Sequence, residues 1–198
     1  MIRAILLACL TLLLFACTPK QSYDNLTALP IDHIRHAAFS QNKTPVIGIA
    51  FGGGGIRGFI HLGVIRALTE AGIRADVVTG TSAGAIAASF YASGMPYPEI
   101  EKTVLEAERS DLIDFTLFSA GGFVHGEVIA QWIKEKTGKS TIETMPIPLG
   151  ITVTDLSHQE SLLIVKGDVG QAVQASVSLP GAFIPYDANG SVYVDGGV

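Results

Sequence analysis

The stretch "GTSAG" places Ser82 between Gly80 and Gly84. This spacing fits the G-x-S-x-G pattern, in which a serine lies on a sharp turn between a strand and a helix. An apolar, strand-like run (residues 75–80) precedes it, and a helix-like run of small residues (83–94) follows. Ser82 is either a helix N-cap or a nucleophile held out on that turn. The flanking pattern favours the nucleophile.

A second glycine pattern, "GGGIRG", runs from Gly53 to Gly58 and fits G-x-G-x-x-G between a strand-like run and a helix-like run. Backbone N–H groups at the start of a helix favour negative charge. Gly53, Gly54 and Gly55 are therefore candidates for an oxyanion hole, which stabilises the charge that develops on an ester carbonyl. Arg57 is either a positive helper of this hole or an ordinary surface residue.

The same glycine pattern also opens dinucleotide-binding sites. Such a site needs an acidic residue at the end of the second strand, where it binds the ribose. Asp76 instead precedes the second predicted strand, and that strand ends in the serine turn. The pattern therefore favours an oxyanion hole, and a nucleotide-binding protein remains the alternative.

A serine nucleophile also needs a proton acceptor. The histidines after Ser82 are His125 and His158, and neither completes the serine, acid, histidine order of the α/β-hydrolases. Asp195, in the stretch "YVDGG", lies instead at the end of a predicted strand, where parallel sheets present functional groups. Its carboxylate can accept the hydroxyl proton directly, which predicts a Ser82–Asp195 dyad.

The elements around these residues alternate between strand and helix, which predicts an α/β fold with a parallel sheet. Apolar periodicity predicts strands at 46–51, 75–80, 147–156, 160–167 and 191–198, and helices at 56–72, 83–94, 97–109, 126–138 and 170–179. The chain of 198 residues is long enough for one domain with a hydrophobic core. A net charge of −5 without a basic run argues against a nucleic-acid partner.

The first residues predict a targeting signal. Arg3 is followed by the apolar run "AILLACLTLLLF" and Ala16. "LFAC", which ends at Cys17, resembles the lipobox of bacterial lipoproteins. We therefore expect residues 1–16 to be a signal peptide and Cys17 to carry lipid. An ordinary secretory signal is the alternative.

We expect residues 17–44 to be the lipidated N-terminus and a polar tether, and residues 45–198 to form the domain. Thr18 after the lipidated cysteine indicates the outer membrane, facing the periplasm of a bacterial cell. After processing, the chain retains no cysteine except Cys17, which excludes a disulfide framework or a thiolate metal site. No sequence feature predicts an oligomeric state.

Five segments occur in the order seen in one known family: "GGGGIRGFIHLGVIRAL", "GTSAGAIAASFYASG", "VTDL", "ASVSLPGAFIP" and "YVDGG". Over about residues 46–198 the chain resembles the patatin-like phospholipases. The resemblance implies a three-layer α/β/α fold with a mainly parallel central sheet. It also implies a serine lipid acyl hydrolase, phospholipase A-like, that cleaves phospholipid or other acyl esters with no metal and no cofactor.

By position, the resemblance implies that Ser82 is the nucleophile and Asp195 the proton acceptor, followed by the two glycines of the D-G-G motif that ends at Gly197. It implies that Gly53–Gly55 form the oxyanion hole with Arg57. Asp155 and His61 also match family positions, and we predict structural roles for both.

The family continues beyond the D-G-G motif, whereas this chain ends at Val198, so we expect either a chain truncated at its C-terminus or a minimal version of the fold. Within the enzyme class, a short-chain carboxylesterase or thioesterase is the alternative function. Outside that class, the alternatives are a catalytically silent lipid-binding lipoprotein and the nucleotide-binding protein already considered.

Overall fold

A seven-stranded sheet lies at the centre of the protein. The computed structural model describes residues 26–31, 46–115, 123–188 and 190–198. The strands are β1 (Thr27–Pro30), β2 (Gly48–Phe51), β3 (Val77–Thr81), β4 (Leu149–Asp155), β5 (Glu160–Lys166), β6 (Tyr186–Ala188) and β7 (Ser191–Asp195). The helices are α1 (Ile60–Glu70), α2 (Ala83–Ala92), α3 (Tyr97–Leu105), α4 (Arg109–Leu112), α5 (Glu127–Thr137) and α6 (Val169–Ser176). Short 3-10 helices span Gly55–Phe59 and Ile142–Thr144.

The core of the sheet is parallel. The order is β1-β5-β4-β3-β2, and β2, β3 and β4 run in the same direction. Strand β5 is antiparallel to β4, and β1 is antiparallel to β5. Strand β7 pairs antiparallel with β4 and with β6. The predicted α/β fold with a mainly parallel core is confirmed, and antiparallel strands extend it.

One face of the sheet is fully buried. Phe51, Gly80, Ile151 and Ile164 follow one another across four paired strands, so they point to the same face, and all four are buried. Helices α2 and α6 contact strands of this sheet. The described helices also contact one another in a single layer, from α3 and α1 through α2 to α6, α5 and α4. This layer and the sheet enclose the hydrophobic core.

The opposite face of the sheet carries Thr79, Thr152 and Leu163, which are half-buried. The second helical layer of a three-layer arrangement is not among the described residues. Within the described ranges, no helix is long and apolar enough to cross a membrane.

The interpretation of residues 17–44 as a tether is wrong for Thr27–Pro30. These residues form β1, which pairs with β5 at the edge of the sheet. A run of four residues is too short to reveal a period of two, and Pro30 argues against a strand except at an edge. The rest of the predicted tether, the signal peptide and Cys17 lie outside the described residues, apart from Leu26 and Ile31.

The prediction of one continuous helix at 56–72 is wrong at its start. Residues Gly55–Phe59 form a 3-10 helix, and α1 starts at Ile60. Gly58, the last glycine of the G-x-G-x-x-G pattern, therefore lies in the 3-10 helix and not in the α-helix. The tighter first turn follows Gly55, whose φ of 55° lies in the left-handed region where glycine is favoured. The glycine pattern therefore includes both the loop after β2 and most of the 3-10 helix that follows it.

Buried Asp155 fixes the turn between β4 and β5. Its Oδ1 accepts hydrogen bonds from the backbone N–H groups of Ser157 (2.8 Å) and His158 (3.3 Å), and its Oδ2 lies 2.8 Å from His158 Nδ1. Burial alone would raise the pKa of Asp155, but hydrogen bonds from His158, Ser191 and Ser157 outweigh it and lower that pKa. The hydrogen bond and negative charge of Asp155 raise the pKa of His158.

This pair makes stability depend on pH. A raised histidine pKa stabilises the fold fully below the ordinary value of about 6.5, and this stabilisation disappears as pH rises through the folded value. We therefore expect the wild type to have a higher urea midpoint than His158→Gln at pH 5.5. The difference between the two midpoints should be smaller at pH 9. His125→Gln, in another loop, is the control. If the two midpoints differed by the same amount at both pH values, the raised pKa of His158 would be contradicted.

Candidate active site

Ser82 occupies the sharp turn between β3 and α2. Its φ of 55° and ψ of −124° are unusual for a residue with a side chain, and such strain persists only where surrounding structure imposes it. The Ser82 side chain makes no cap hydrogen bond to α2. Its Oγ donates instead to Asp195 Oδ2 at 2.5 Å. The helix-cap interpretation therefore does not account for this serine.

The two glycines of the turn are required by close packing. A Cβ on Gly80 would lie 2.4 Å from the carbonyl oxygen of Gly84, and a Cβ on Gly84 would lie 2.1 Å from that of Phe51. Real Cβ atoms do not approach backbone oxygens this closely. Strand β2, strand β3 and the start of α2 can therefore meet only if both positions lack a side chain.

A third segment holds the turn through the hydroxyl of Ser176, the last residue of α6. Ser176 Oγ accepts a hydrogen bond from the Ser82 amide at 2.8 Å and donates one to the Thr152 carbonyl at 2.7 Å. The sequence did not single out this residue, since a serine near a helix end has no distinctive spacing. It lies within "ASVSLPGAFIP", one of the five segments that carry the family resemblance.

Ser82 and Asp195 meet because two strands approach each other end to end. Strand β3 runs parallel to β4 and β7 runs antiparallel to it. Thr81 pairs with Thr152 at the end of β3, and Asp195 pairs with the next residue, Val153, at the end of β7. The C-terminal ends of β3 and β7 therefore face each other, which brings together residues 113 positions apart.

The two glycines after Asp195 have different roles, a hydrogen bond to its carboxylate and close packing. The Gly197 amide donates to Asp195 Oδ1 at 2.8 Å, which leaves Oδ2 for Ser82. A Cβ on Gly196 would lie 2.4 Å from the Thr152 carbonyl oxygen, so this position also excludes a side chain. The Asp195 amide donates to the Ser178 carbonyl at 3.0 Å. Asp195 is 5% exposed and is fixed in orientation.

The glycine loop after β2 lies beside the dyad. A Cβ on Gly53 would be 3.4 Å from the Ser82 Cβ. His61 Nε2 lies 2.8 Å from the Gly52 carbonyl oxygen, which can only accept, so Nε2 is the donor. Because C=O and N–H point in opposite directions across a planar trans peptide, this bond directs the Gly53 amide away from His61.

The rest of the loop is ordered by its own backbone. The Arg57 amide donates to the Gly54 carbonyl at 3.1 Å, which closes the first 3-10 turn. The exposed Arg57 side chain folds back over Gly54, with its Cβ 3.5 Å from the position of a Gly54 Cβ. Gly54, Gly55 and Arg57 thus lie together at the start of the 3-10 helix, and Gly53 before them lies next to Ser82.

Gly58, at the end of the same pattern, has a packing role. A Cβ on Gly58 would lie 2.6 Å from the Cβ of Ala83, the residue that follows Ser82. This separation is shorter than real Cβ contacts, so the 3-10 helix can lie this close to the start of α2 only with glycine at this position. Gly58 therefore belongs to the contact between the glycine loop and the serine turn, whereas Gly53–Gly55 form the loop itself.

The remaining polar candidates have structural contacts. His61 anchors the glycine loop and packs edge-on against Phe51, with ring centroids 5.4 Å apart. Asp155 and His158 bind each other at the β4–β5 turn. Potential ligand atoms of Asp155, His158 and Glu160 lie within 4.8 Å of one another. Since the first two already share a hydrogen bond, this group is accounted for without a metal.

The close packing of the turn predicts the effect of a single methyl group. We expect Gly84→Ala to abolish folding or to reduce the free energy of unfolding by several kcal/mol, because its Cβ overlaps a backbone oxygen. Gly63→Ala is the matched control, since a Cβ there meets nothing within 4 Å. A Gly84→Ala protein with the thermal midpoint of Gly63→Ala would contradict this packing.

The chain is similar in sequence to several known proteins. A sequence model of the patatin-like phospholipases matches residues 49–198. An uncharacterised NTE family protein of Mycobacterium tuberculosis is 31% identical over 159 residues, which are 79% of this chain and 44% of that protein. Lysophospholipase NTE1 of Phaeosphaeria nodorum is 34% identical over 158 residues, 76% of this chain and 10% of that protein. The chain spans less than half the length of these curated relatives.

The crystal structure of VipD from Legionella pneumophila has a similar fold, with a TM-score of 0.61 at 17% identity. The match covers 93% of this chain and 51% of the VipD chain. The sequence model spans the Ser82 turn, the glycine loop and Asp195, so it covers every residue of the site described above. The chain belongs to the patatin-like phospholipase family.

Proposed function

We propose that the protein is a serine lipid acyl hydrolase that uses Ser82 and Asp195 as a catalytic dyad. The observation that carries the proposal is the 2.5 Å hydrogen bond from Ser82 Oγ to Asp195 Oδ2 on a strained turn. Membership of the patatin-like phospholipases supports the lipid ester as substrate class. The proposed chemistry needs no metal or cofactor.

In the first half of the reaction, Asp195 accepts the Ser82 proton while Oγ forms a bond to the ester carbonyl carbon. The carbonyl π electrons move to the oxygen and give a tetrahedral oxyanion. Its collapse breaks the bond to the alcohol, which leaves with the proton held by Asp195. An acyl-serine remains on Ser82.

In the second half, water attacks the acyl carbon and gives its proton to Asp195. The second tetrahedral oxyanion collapses, the bond to Ser82 Oγ breaks, and Oγ recovers the proton from Asp195. The products are the free fatty acid and the original enzyme. One carboxylate thus acts first as base and then as acid in each half.

We assign the oxyanion hole to the amides of Gly53, Gly54 and Gly55. Gly53 lies beside Ser82, and Gly54 and Gly55 start the 3-10 helix, which supports the assignment, since amides at a helix start favour negative charge. The hydrogen bond from His61 to the Gly52 carbonyl further supports the assignment, because it directs the Gly53 amide away from His61. The positive charge of Arg57 adds to the stabilisation of the oxyanion.

Removing either member of the dyad should remove activity while the fold remains. We expect Ser82→Ala and Asp195→Asn to lower kcat/KM for phospholipid by about 10³-fold or more, as in other activated serine sites. Fatty-acid release from phospholipid measures this, and a fluorophosphonate should label the wild type but not Ser82→Ala. Ser161→Ala, an exposed serine on β5, is the control.

An equally folded, fully active Asp195→Asn protein would contradict the dyad. A wild type that fluorophosphonate does not label and that releases no acid would support a silent lipid-binding protein. Turnover of short-chain esters or thioesters without turnover of phospholipid would support the carboxylesterase or thioesterase alternative.

We also propose that Cys17 is lipidated and anchors the protein in a bacterial cell envelope, at the outer membrane facing the periplasm. The support is the sequence pattern of residues 1–17. In bacterial expression we expect wild type in the membrane fraction, with a mature N-terminus at Cys17 in mass spectra. Cys17→Ser should shift to the soluble fraction, whereas Cys9→Ser should not. Identical fractionation of all three would contradict the anchor.

A further inference from the structure

Large apolar side chains are exposed immediately after the glycine loop. Ile56 is 83% exposed, Phe59 52% and Ile60 67%. They belong to the 3-10 helix and the first residue of α1, one to five positions beyond Gly55. Scattered exposed apolar residues need no explanation, but a cluster beside a reactive group indicates an interaction surface.

A second exposed apolar group lies beside Asp195. Leu179 is 50% exposed and directly follows Ser178, whose carbonyl accepts the Asp195 amide. Phe123 is 65% exposed, and its amide donates to the Ala182 carbonyl at 2.9 Å, which joins it to the same loop. We call Ile56, Phe59, Ile60, Phe123 and Leu179 the apolar rim.

The segments that carry most of the rim are almost free of charge. Between residues 46 and 65, Arg57 is the one Lys, Arg, Asp or Glu, and between residues 169 and 186 there is none. Charged residues form 16% of the chain, with a net charge of −5. Acidic groups, which an anionic headgroup would repel, are therefore absent from both stretches, and one cation lies at the site.

We propose that the apolar rim docks on a phospholipid surface, with Ser82 facing the acyl esters of that surface. The inference rests on the proposed acyl hydrolase function. Apolar side chains at a membrane boundary enter the acyl region, where they leave water, and a nearby arginine binds headgroup phosphate. Two exposed segments flanking one reactive hydroxyl fit a flat, apolar substrate layer of this kind.

Binding is tested separately from catalysis. The full chain carries Ser82→Ala, which prevents turnover, and Cys17→Ser, which removes the proposed anchor. Phosphatidylcholine vesicles are the probe, and co-sedimentation gives the partition coefficient. We expect Ile56→Ser with Ile60→Ser to reduce partitioning about tenfold or more, since each loses buried apolar area.

Ile73→Ser is the matched control, because Ile73 is 42% exposed and follows the opposite end of α1. It should leave partitioning unchanged. In proteins with Ser82 intact, the rim variant should hydrolyse vesicle phospholipid about tenfold more slowly and monomeric p-nitrophenyl butyrate at the wild-type rate. Urea midpoints confirm that all variants are equally folded.

The outcomes separate the two proposals. Rim variants that partition like Ile73→Ser, while the wild type hydrolyses esters, would overturn the rim and leave the proposed function intact. Rim-dependent partitioning by a wild type without ester hydrolysis would support the rim and overturn the function. A change in oligomeric state with unchanged partitioning would assign these residues to a protein contact and overturn the lipid surface.

Discussion

The site depends on one feature of the sheet: two strands share a single edge of β4 and end facing each other. Along this edge, β3 pairs with β4 up to Thr152, and β7 pairs with β4 from Val153 onward. Because one strand is parallel and the other antiparallel to β4, both deliver their C-terminal residues to the same gap. Ser82 and Asp195 enter that gap from opposite sides, so their contact follows from hydrogen-bonded backbone rather than from flexible loops.

Close packing then keeps the serine hydroxyl available. The glycines at 80, 84 and 196 remove side chains that would collide with backbone oxygens of neighbouring segments. The Ser82 amide donates a hydrogen bond to Ser176 Oγ, and the Gly197 amide donates one to Oδ1, the second carboxylate oxygen of Asp195. The Ser82 amide and both oxygens of the Asp195 carboxylate thus have partners, and the strain at Ser82 is maintained by contacts from several elements. The same loops then continue outward into the apolar rim, so the residues that position the chemistry also border the surface that we propose meets lipid.

Short stretches of the sequence were sufficient to predict several parts of the site and of the fold. The Ser82 turn and the glycine loop each depend on the sterics of a few consecutive residues. Each strand and helix is indicated by the periodicity of its own residues. Ser176 and β1 were different, because no local pattern marks them. A serine at a helix end and four residues that end in a proline look ordinary in sequence, and only their distant partners give them a role.

The sequence by itself therefore determined the type of fold, the two glycine turns and the place of Ser82 on one of them, because neighbouring residues alone impose those features. It also offered Asp195 as an acid at a strand end. Only the tertiary structure decided that β7 lies beside β4 directly beyond β3, that the described helices pack together over one face, and that the apolar residues beside the site remain exposed. These features depend on strand order and on burial summed over the whole chain, which no short segment encodes.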